Sequence, residues 1–192
     1  MATYHQLVIN LETKVNNKKI SILAGLLTTL ISACTSHSLP PIKPVSSVNL
    51  NQFMGDWYVI ACIPTVIETE AYNAIESYQL EKDGSINTTF VFRKGGFDGP
   101  EKRYNPRGFV VDNTGNSVWG MQFLWPFKSE YIIAYLDQNY NNTIIARNDR
   151  DYVWIMARTP RINDSQYMEL TKKVANLGYD VSKLRKVPHQ AH

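Results

Sequence analysis

The chain has 192 residues, of which 44% are hydrophobic, so it is long enough to bury the core of one domain without covalent cross-links. Its two cysteines are too few for a disulfide framework. The formal net charge is +3; residues 1–33 hold Lys14, Lys18 and Lys19 against Glu12, a net of +2, which leaves +1 for the remainder. This near neutrality gives no electrostatic argument for nucleic-acid binding.

An uncharged apolar segment follows two lysines near the N-terminus. Residues 20–33 contain no charge, and fourteen residues are too few to span a bilayer as a helix, so the pattern is typical of a secretory signal. The segment ends in Ile-Ser-Ala-Cys, which resembles the lipobox of bacterial lipoproteins. We therefore expect Cys34 to carry a lipid, and the mature protein to lie at the outer membrane on its periplasmic side. The alternative is an ordinary signal peptide with an incidental cysteine.

Composition divides the chain into three parts. Residues 1–33 form the lipoprotein signal region, within which residues 1–14 precede the usual beginning of such a signal, so we expect translation to start at Val15. Residues 34–48 comprise the predicted lipidated cysteine and the segment that follows it. This segment contains three prolines and four serines, which predict a flexible tether. Residues 49–192 form the folded domain.

The folded domain begins with a glycine break before a tryptophan. Gly55 frees the backbone to bend where Trp57, two residues later, turns a large aromatic ring inward. We interpret residues 49–63 as the entry to a β-barrel. The triplet alone is a weak signal, because a tryptophan that only fills a core would look the same.

Alternating apolar residues and turn signals predict eight consecutive strands without an intervening helix. Asp83 and Gly84 form a typical hairpin turn, and Pro106 predicts a bend in the fourth strand. A sandwich usually needs long crossovers, whereas closure of a meander removes the exposed edges. The predicted strands cover residues 57–63, 74–80, 86–92, 102–112, 117–124, 130–137, 143–147 and 152–158.

One helix is predicted after the last strand. Asn163 to Ser165 supply helix N-caps and Gly178 a C-terminal stop. Spacings of three and four place an apolar stripe on one face, formed by Tyr167, Leu170, Val174 and Leu177. The fold class predicted is all-β, an eight-stranded antiparallel up-and-down β-barrel with one C-terminal α-helix packed outside.

Three motifs in this order resemble those of the lipocalin family. They are Gly55-x-Trp57 at the first strand, Asp137 followed three residues later by Tyr140 after the sixth, and Arg158 at the end of the eighth. The resemblance covers residues 47–187. It is most specific to the bacterial outer-membrane lipocalins, which are lipoproteins, through residues 152–160 and the Trp-Pro-Phe sequence before the sixth strand.

The resemblance implies a structural role for these motifs. In the family the arginine lies across the tryptophan indole and closes one end of the barrel through a cation–π contact. Trp57, Asp137, Tyr140 and Arg158 are therefore expected to be scaffold residues. The sequence departs from the family at Cys62, where bacterial relatives often carry a basic residue.

A ligand cavity is expected above the closed end, because an eight-stranded barrel encloses room for one small ligand. The period of two places an aromatic and aliphatic set on the inner face, comprising Tyr78, Phe90, Phe92, Met121, Phe123, Ile133, Tyr135, Trp154 and Met156. Some of these residues could instead be ordinary barrel packing. We predict a fatty acid or lysophospholipid as the guest, for storage or transport in the cell envelope.

Two other functions compete with lipid binding. An enzyme is disfavoured because the histidines after Cys34 lie near the termini, so no cofactor or metal is expected, and only Cys62 or the carboxylate of Glu76 could serve as a reactive group. The remaining alternative is an envelope interaction or scaffold lipoprotein with an idle cavity. Weak homodimerisation is compatible with lipid binding and with the scaffold function.

Overall fold

The computed structural model describes residues 39–190. Cys34, the signal region and the expected start at Val15 lie outside them. The described part contains helix α1 (Leu50–Phe53), helix α2 (Asp164–Asn176) and a 3₁₀ turn (Val181–Lys183). Its strands are β1 (Gly55–Ile63), β2 (Ala71–Leu80), β3 (Ile86–Lys94), β4 (Glu101–Tyr104), β5 (Arg107–Val110), β6 (Val118–Leu124), β7 (Phe127–Leu136), β8 (Asn142–Ala146), β9 (Val153–Ala157) and β10 (Arg185–Lys186).

The strands form a closed antiparallel barrel. The strands β1, β2, β3, β5, β6, β7, β8 and β9 pair in this order, and β1 pairs with β9 to close the sheet, with Tyr58 opposite Ala157. β4 and β5 both pair with β3 and are the two halves of the predicted fourth strand, which breaks before Pro106 because proline lacks a backbone donor. The prediction of an eight-stranded barrel followed by one main helix is confirmed.

Four β-bulges interrupt the inward and outward alternation. They lie in β1 between Val59 and Ala61, in β2 between Tyr72 and Ile75, in β6 between Met121 and Leu124, and in β7 between Ile133 and Tyr135. Because a bulge adds one residue to one strand, the side chains beyond it change face. Tyr135 therefore packs with the outer apolar cluster, where the ammonium of Lys173 lies 4.5 Å from its ring. Its predicted place on the inner face is wrong for this reason.

Helix α2 packs on the outer wall of the barrel. Asn163 and Gln166 form a capping box at its N-terminus, and Leu170 and Val174 are its buried residues. These two side chains belong to the same outer cluster as Val153 of β9. The short strand β10 follows and pairs with β1, so the C-terminal segment also lies against the barrel.

An extended arm, residues 40–48, also lies on the barrel. The backbone amides of Val45 and Val48 donate to the carbonyls of Ile133 and Gly115 at 3.0 and 2.8 Å. Ile42 and Val48 are buried. The prediction of a flexible tether is therefore wrong for residues 40–48, because their aliphatic side chains pack against the barrel despite the neighbouring prolines.

The closed end of the barrel is organised by Arg158. Its guanidinium carbon lies 3.9 Å from the ring centroid of Trp57, and its Nη1 donates to the carbonyl of Asp56 at 2.8 Å. Its Nη2 donates at 2.8–2.9 Å to three successive carbonyls of the α1 segment, those of Gln52, Phe53 and Met54. One side chain thus satisfies the carbonyls left open at the end of α1.

The remaining motif residues brace the same end. The indole of Trp57 donates to the carbonyl of Phe53 at 2.9 Å, and the hydroxyl of Tyr140 accepts from the amide of Asn49 at 2.9 Å. Asp137 accepts the backbone amides of the turn that follows it, at 2.8–3.0 Å. Gly55 has a φ of +91°, a conformation that favours glycine.

Within residues 39–190, no helix has the length and apolar character to cross a bilayer.

Replacing Arg158 with alanine removes the cation–π contact and the charged donor to the four carbonyls named above and to that of Tyr140, which Nε reaches at 3.3 Å. We expect the free energy of unfolding to fall by about 2 to 4 kcal/mol, as for the loss of a few charge-assisted hydrogen bonds. Urea denaturation followed by tryptophan fluorescence measures this loss. The control is Arg161→Ala, an exposed arginine near the same strand end; equal stability of the two variants would contradict the role assigned to Arg158.

Candidate functional site

The barrel encloses a cavity of about 240 Å³. This volume lies just below the range of small-molecule pockets, which begins at roughly 300 Å³, so the space suits a single acyl chain better than two. The walls come from strands on all sides and from the loop after β1. The lining residues are Thr65, Ile67, Glu68, Glu76, Phe90, Met121, Phe123, Ser129, Glu130, Tyr131, Arg147, Tyr152 and Trp154.

Aromatic rings fill the barrel between the cavity and the closed end. Phe53 of α1 packs against Trp57 and Trp119 with centroids 5.0 and 5.4 Å apart, and Trp119 stacks on Tyr131 at 5.0 Å. Tyr78 contacts Trp119 edge to face at 5.7 Å. This aromatic layer blocks passage through the barrel, so the cavity has a floor.

A hydrogen-bonded polar group stands on that floor. The carboxylate of Glu76 accepts a hydrogen bond from the hydroxyl of Tyr78, which lies 2.7 Å from the hydroxyl of Tyr131. Burial raises the pKa of Glu76 to about 7, the Tyr78 hydrogen bond lowers it in part, and the charge of Glu68 raises it further. The floor of a mainly apolar cavity therefore carries a carboxyl group that titrates near neutral pH.

The loop between β1 and β2 is fixed at the cavity mouth by Glu68. This side chain is buried, accepts from the Trp154 indole at 2.9 Å, and accepts from the amide and hydroxyl of Thr65 at 3.0 and 2.6 Å. The hydrogen bond to Trp154 links the loop to strand β9. This loop is thus held to the barrel by a polar contact, while Val66 at its tip is exposed.

The other charged residues of the lining also have partners. Glu130 accepts from the backbone and side-chain amides of Asn148, both at 2.7 Å. Nη2 of Arg147 lies 3.5 Å from Oδ2 of Asp149, and its Nε lies 3.4 Å from Oδ1 of Asp151. The charge of Arg147 is therefore balanced by these two carboxylates, and the cavity lining has no excess of positive charge.

The hairpin between β6 and β7 places large apolar side chains beside the mouth. Leu124, Trp125 and Phe127 are 72%, 81% and 73% exposed. The same two strands contribute Phe123 and Ser129 to the cavity wall. Exposed apolar groups of this size at a cavity entrance mark a surface for an apolar partner or ligand.

The predicted lining residues fall into three groups. Phe90, Met121, Phe123 and Trp154 line the cavity. Tyr78, Phe92, Ile133 and Met156 point inward as predicted but belong to the packed core outside the cavity lining. Tyr135 lies on the outer face, beyond the bulge in β7.

Sequence reasoning did not place Tyr131, Arg147 or Tyr152 at the cavity. Tyr131 could have been found, because it lies two residues before Ile133 on the same face of β7. Glu76 alternates with Ala74 and Tyr78 in the same way and was considered only as a reactive carboxylate. The polar residues of the rim follow no strand period, so the sequence carries no comparable signal for them.

Cys62 points into the barrel and is buried. Burial first, and then the charge of Glu68, raise the pKa of its thiol to about 12. A thiol with this pKa stays protonated at neutral pH and is a poor nucleophile. Across residues 39–190, no group of three or more histidine, cysteine, aspartate or glutamate side chains is arranged to hold a metal ion.

A closed antiparallel barrel, plugged at one end and open to an apolar cavity at the other, defines a class of small-ligand binding proteins. The family model that describes the lipocalin-like domain matches residues 48–189 of this sequence. The chain belongs to the lipocalin family, and its cavity is suited to a small hydrophobic ligand.

Similar proteins come from bacteria and plants. The outer membrane lipoprotein Blc of Escherichia coli K12 is 30% identical over 165 residues, covering 80% of this chain and 87% of the relative. Temperature-induced lipocalin-1 of Arabidopsis thaliana is 32% identical over 158 residues, with 77% and 82% covered. Among solved structures, insecticyanin from the tobacco hornworm Manduca sexta matches with a TM-score of 0.63 at 16% identity, over 79% of this chain and 86% of the other.

Glu76 makes the stability of the protein depend on pH. Its pKa lies near 4.5 when unfolded and about 7 when folded, so the folded state binds the proton more tightly. The contribution of Glu76 to the free energy of unfolding is therefore most favourable below pH 4.5, and it is lost as the pH rises through 7. The free energy of unfolding of the wild type should fall by roughly 2 to 3 kcal/mol between pH 5 and pH 8. We expect this fall to be absent in Glu76→Gln.

Urea denaturation at the two pH values measures this difference. Glu70→Gln is the matched control, because Glu70 is exposed and lies six residues away on the loop. A Glu76→Gln variant with the same pH profile as the wild type would contradict the assignment.

Proposed function

We propose that this lipocalin holds one single-chain lipid, a fatty acid or a lysophospholipid, for storage or transport in the cell envelope. The observation that carries the proposal is the cavity of about 240 Å³, apolar in its walls and closed below by the aromatic layer. Each methylene transferred from water into such a wall contributes about 0.8 kcal/mol. An acyl chain therefore gains affinity from length alone.

The proposed location rests on the relatives and on the sequence. Several of the similar proteins are named outer membrane lipoproteins, and residues 31–34 of this chain end in a lipobox-like cysteine. We propose that Cys34 is lipidated and anchors the protein to the outer membrane on the periplasmic side. A diacylglyceryl group with an additional acyl chain, such as palmitate, is sufficient for stable anchoring.

We propose binding without catalysis. The thiol of Cys62 is buried and its pKa is raised, which disfavours a nucleophilic role. His189 contacts the carbonyl of Val59 through its ring nitrogen at 2.9 Å, and burial lowers the pKa of this histidine. Neither residue belongs to the cavity lining.

Native mass spectrometry of the full chain, purified from its own membrane, tests the main proposal. We expect covalent mass on Cys34 and one non-covalently bound single-chain lipid. Ser129→Trp should reduce lipid occupancy several-fold, because Ser129 lines the cavity and a bulky ring would fill it. Ser165→Trp, on the exposed first turn of α2, is the control. A wild-type protein that carries no lipid and takes up none would contradict the proposal.

The exposed hairpin favours a second function, which is self-association through the cavity rim. Trp125 is 81% exposed, and a tryptophan at an interface is a common source of binding energy. The weak homodimer that the family resemblance allows would use this surface. The cavity could remain idle in such an assembly.

Sedimentation velocity over a range of concentrations tests this second function. We expect Trp125→Ser to weaken dimerisation by about tenfold or more, as the loss of a central aromatic contact does. Met168→Ser is the matched control, because Met168 is 64% exposed but lies on α2. A monomeric wild type at all concentrations would contradict self-association.

A further inference from the structure

Glu76 is the carboxylate of the cavity floor, and its hydrogen bonds are unevenly distributed. Oε2 accepts from the Tyr78 hydroxyl, whereas Oε1 accepts from no described residue. Within residues 39–190, Glu76 also forms no ion pair with a lysine or arginine. Since the side chain lines the cavity, a ligand can reach the oxygen that has no protein partner.

The direction of the hydrogen bonds decides what the floor offers. Tyr78 has one hydroxyl proton and donates it to Glu76, so the hydroxyl of Tyr131 donates to the oxygen of Tyr78. Burial and the charge of Glu76 hold the pKa of both tyrosines well above the ordinary value, so both keep their protons. With Glu76 ionised, both protons are occupied and the floor presents acceptors only.

The rim carboxylates differ from Glu76 in this respect. Glu68 accepts three hydrogen bonds, from Trp154 and from Thr65, and Glu130 accepts two from Asn148. Their oxygens are already used by the protein. Glu76 is the lining carboxylate with an oxygen that remains open to a guest.

We propose that Glu76, oriented by Tyr78 and Tyr131, forms a polar subsite on the cavity floor that binds the amine, ammonium or hydroxyl group of a single-chain amphiphile. A donor group of this kind completes the hydrogen bonding of Oε1, and a cation also supplies the missing opposite charge. A carboxylate on the floor would have no proton to donate and would meet a like charge, so a fatty acid would place its carboxylate toward the mouth instead. The inference rests on the proposed function, because it concerns the same cavity.

The surroundings of Glu76 make this selection depend on pH. The titratable groups that face it are Tyr78 on its own strand, Tyr131 on β7, Glu68 in the loop and Cys62 on β1. None of them is a cation at neutral pH. Burial raises the pKa of Glu76 to about 7, so the preference for a cation strengthens as the pH rises from 6 to 8.

Isothermal titration calorimetry with dodecylamine, dodecanol and dodecanoic acid tests the subsite. The full chain carrying Cys34→Ala is used, so that no covalent lipid competes. At pH 8 we expect the wild type to bind the amine about tenfold more tightly than the acid, a difference of one charge-assisted contact. Glu76→Gln should reduce this preference to about twofold and remove its change between pH 6 and pH 8.

Two variants control the experiment. Glu70→Gln removes an equal charge outside the cavity and should keep the preference, and Glu76→Asp should retain part of it because the charge remains. Thermal unfolding confirms that each variant is folded. If all three probes bind and Glu76→Gln keeps the wild-type preference, the subsite is wrong while the lipid-binding function stands. If no probe binds to the wild type, both proposals are overturned.

Discussion

The guanidinium of Arg158 joins three parts of the chain that are far apart in sequence. It covers the indole of Trp57 and donates hydrogen bonds to the carbonyls of α1 and of Tyr140. Arginine suits this position because its planar group combines five donors with a face that stacks on an aromatic ring. The floor of the cavity exists because this contact seals the barrel, so binding above depends on packing below.

The cavity combines an apolar wall with carboxylates of different roles. Glu68 holds the entrance loop to Trp154, and Glu130 holds the turn before β9 through Asn148. These two charges serve the architecture of the mouth. Glu76 lacks such partners, and a buried carboxyl with incomplete hydrogen bonding is costly for folding alone. The proposed contact with a guest would offset this cost by completing the hydrogen bonding of Glu76.

The sequence predicted the topology well because alternation, turn residues and closure all favour the same barrel. The resemblance to lipocalins also implied the plug, and the contact between Trp57 and Arg158 agrees with it. The sequence could not predict depth, because a period of two assigns a face but no height, which is why Met156 proved to be core. The bulge before Tyr135 and the docking of residues 40–48 depend on tertiary packing, and neither has a local sequence signal.

The pairing of β1 with β9 has a consequence for the order of folding. Tyr58 and Ala157 are neighbours in the sheet but about a hundred positions apart in the chain, so the first strand cannot complete its pairing until the last has been made. Contacts of such long range close slowly, because the intervening loop loses entropy before they form. The barrel therefore closes only after all the strands that it joins have been synthesised, which places its closure at the end of folding.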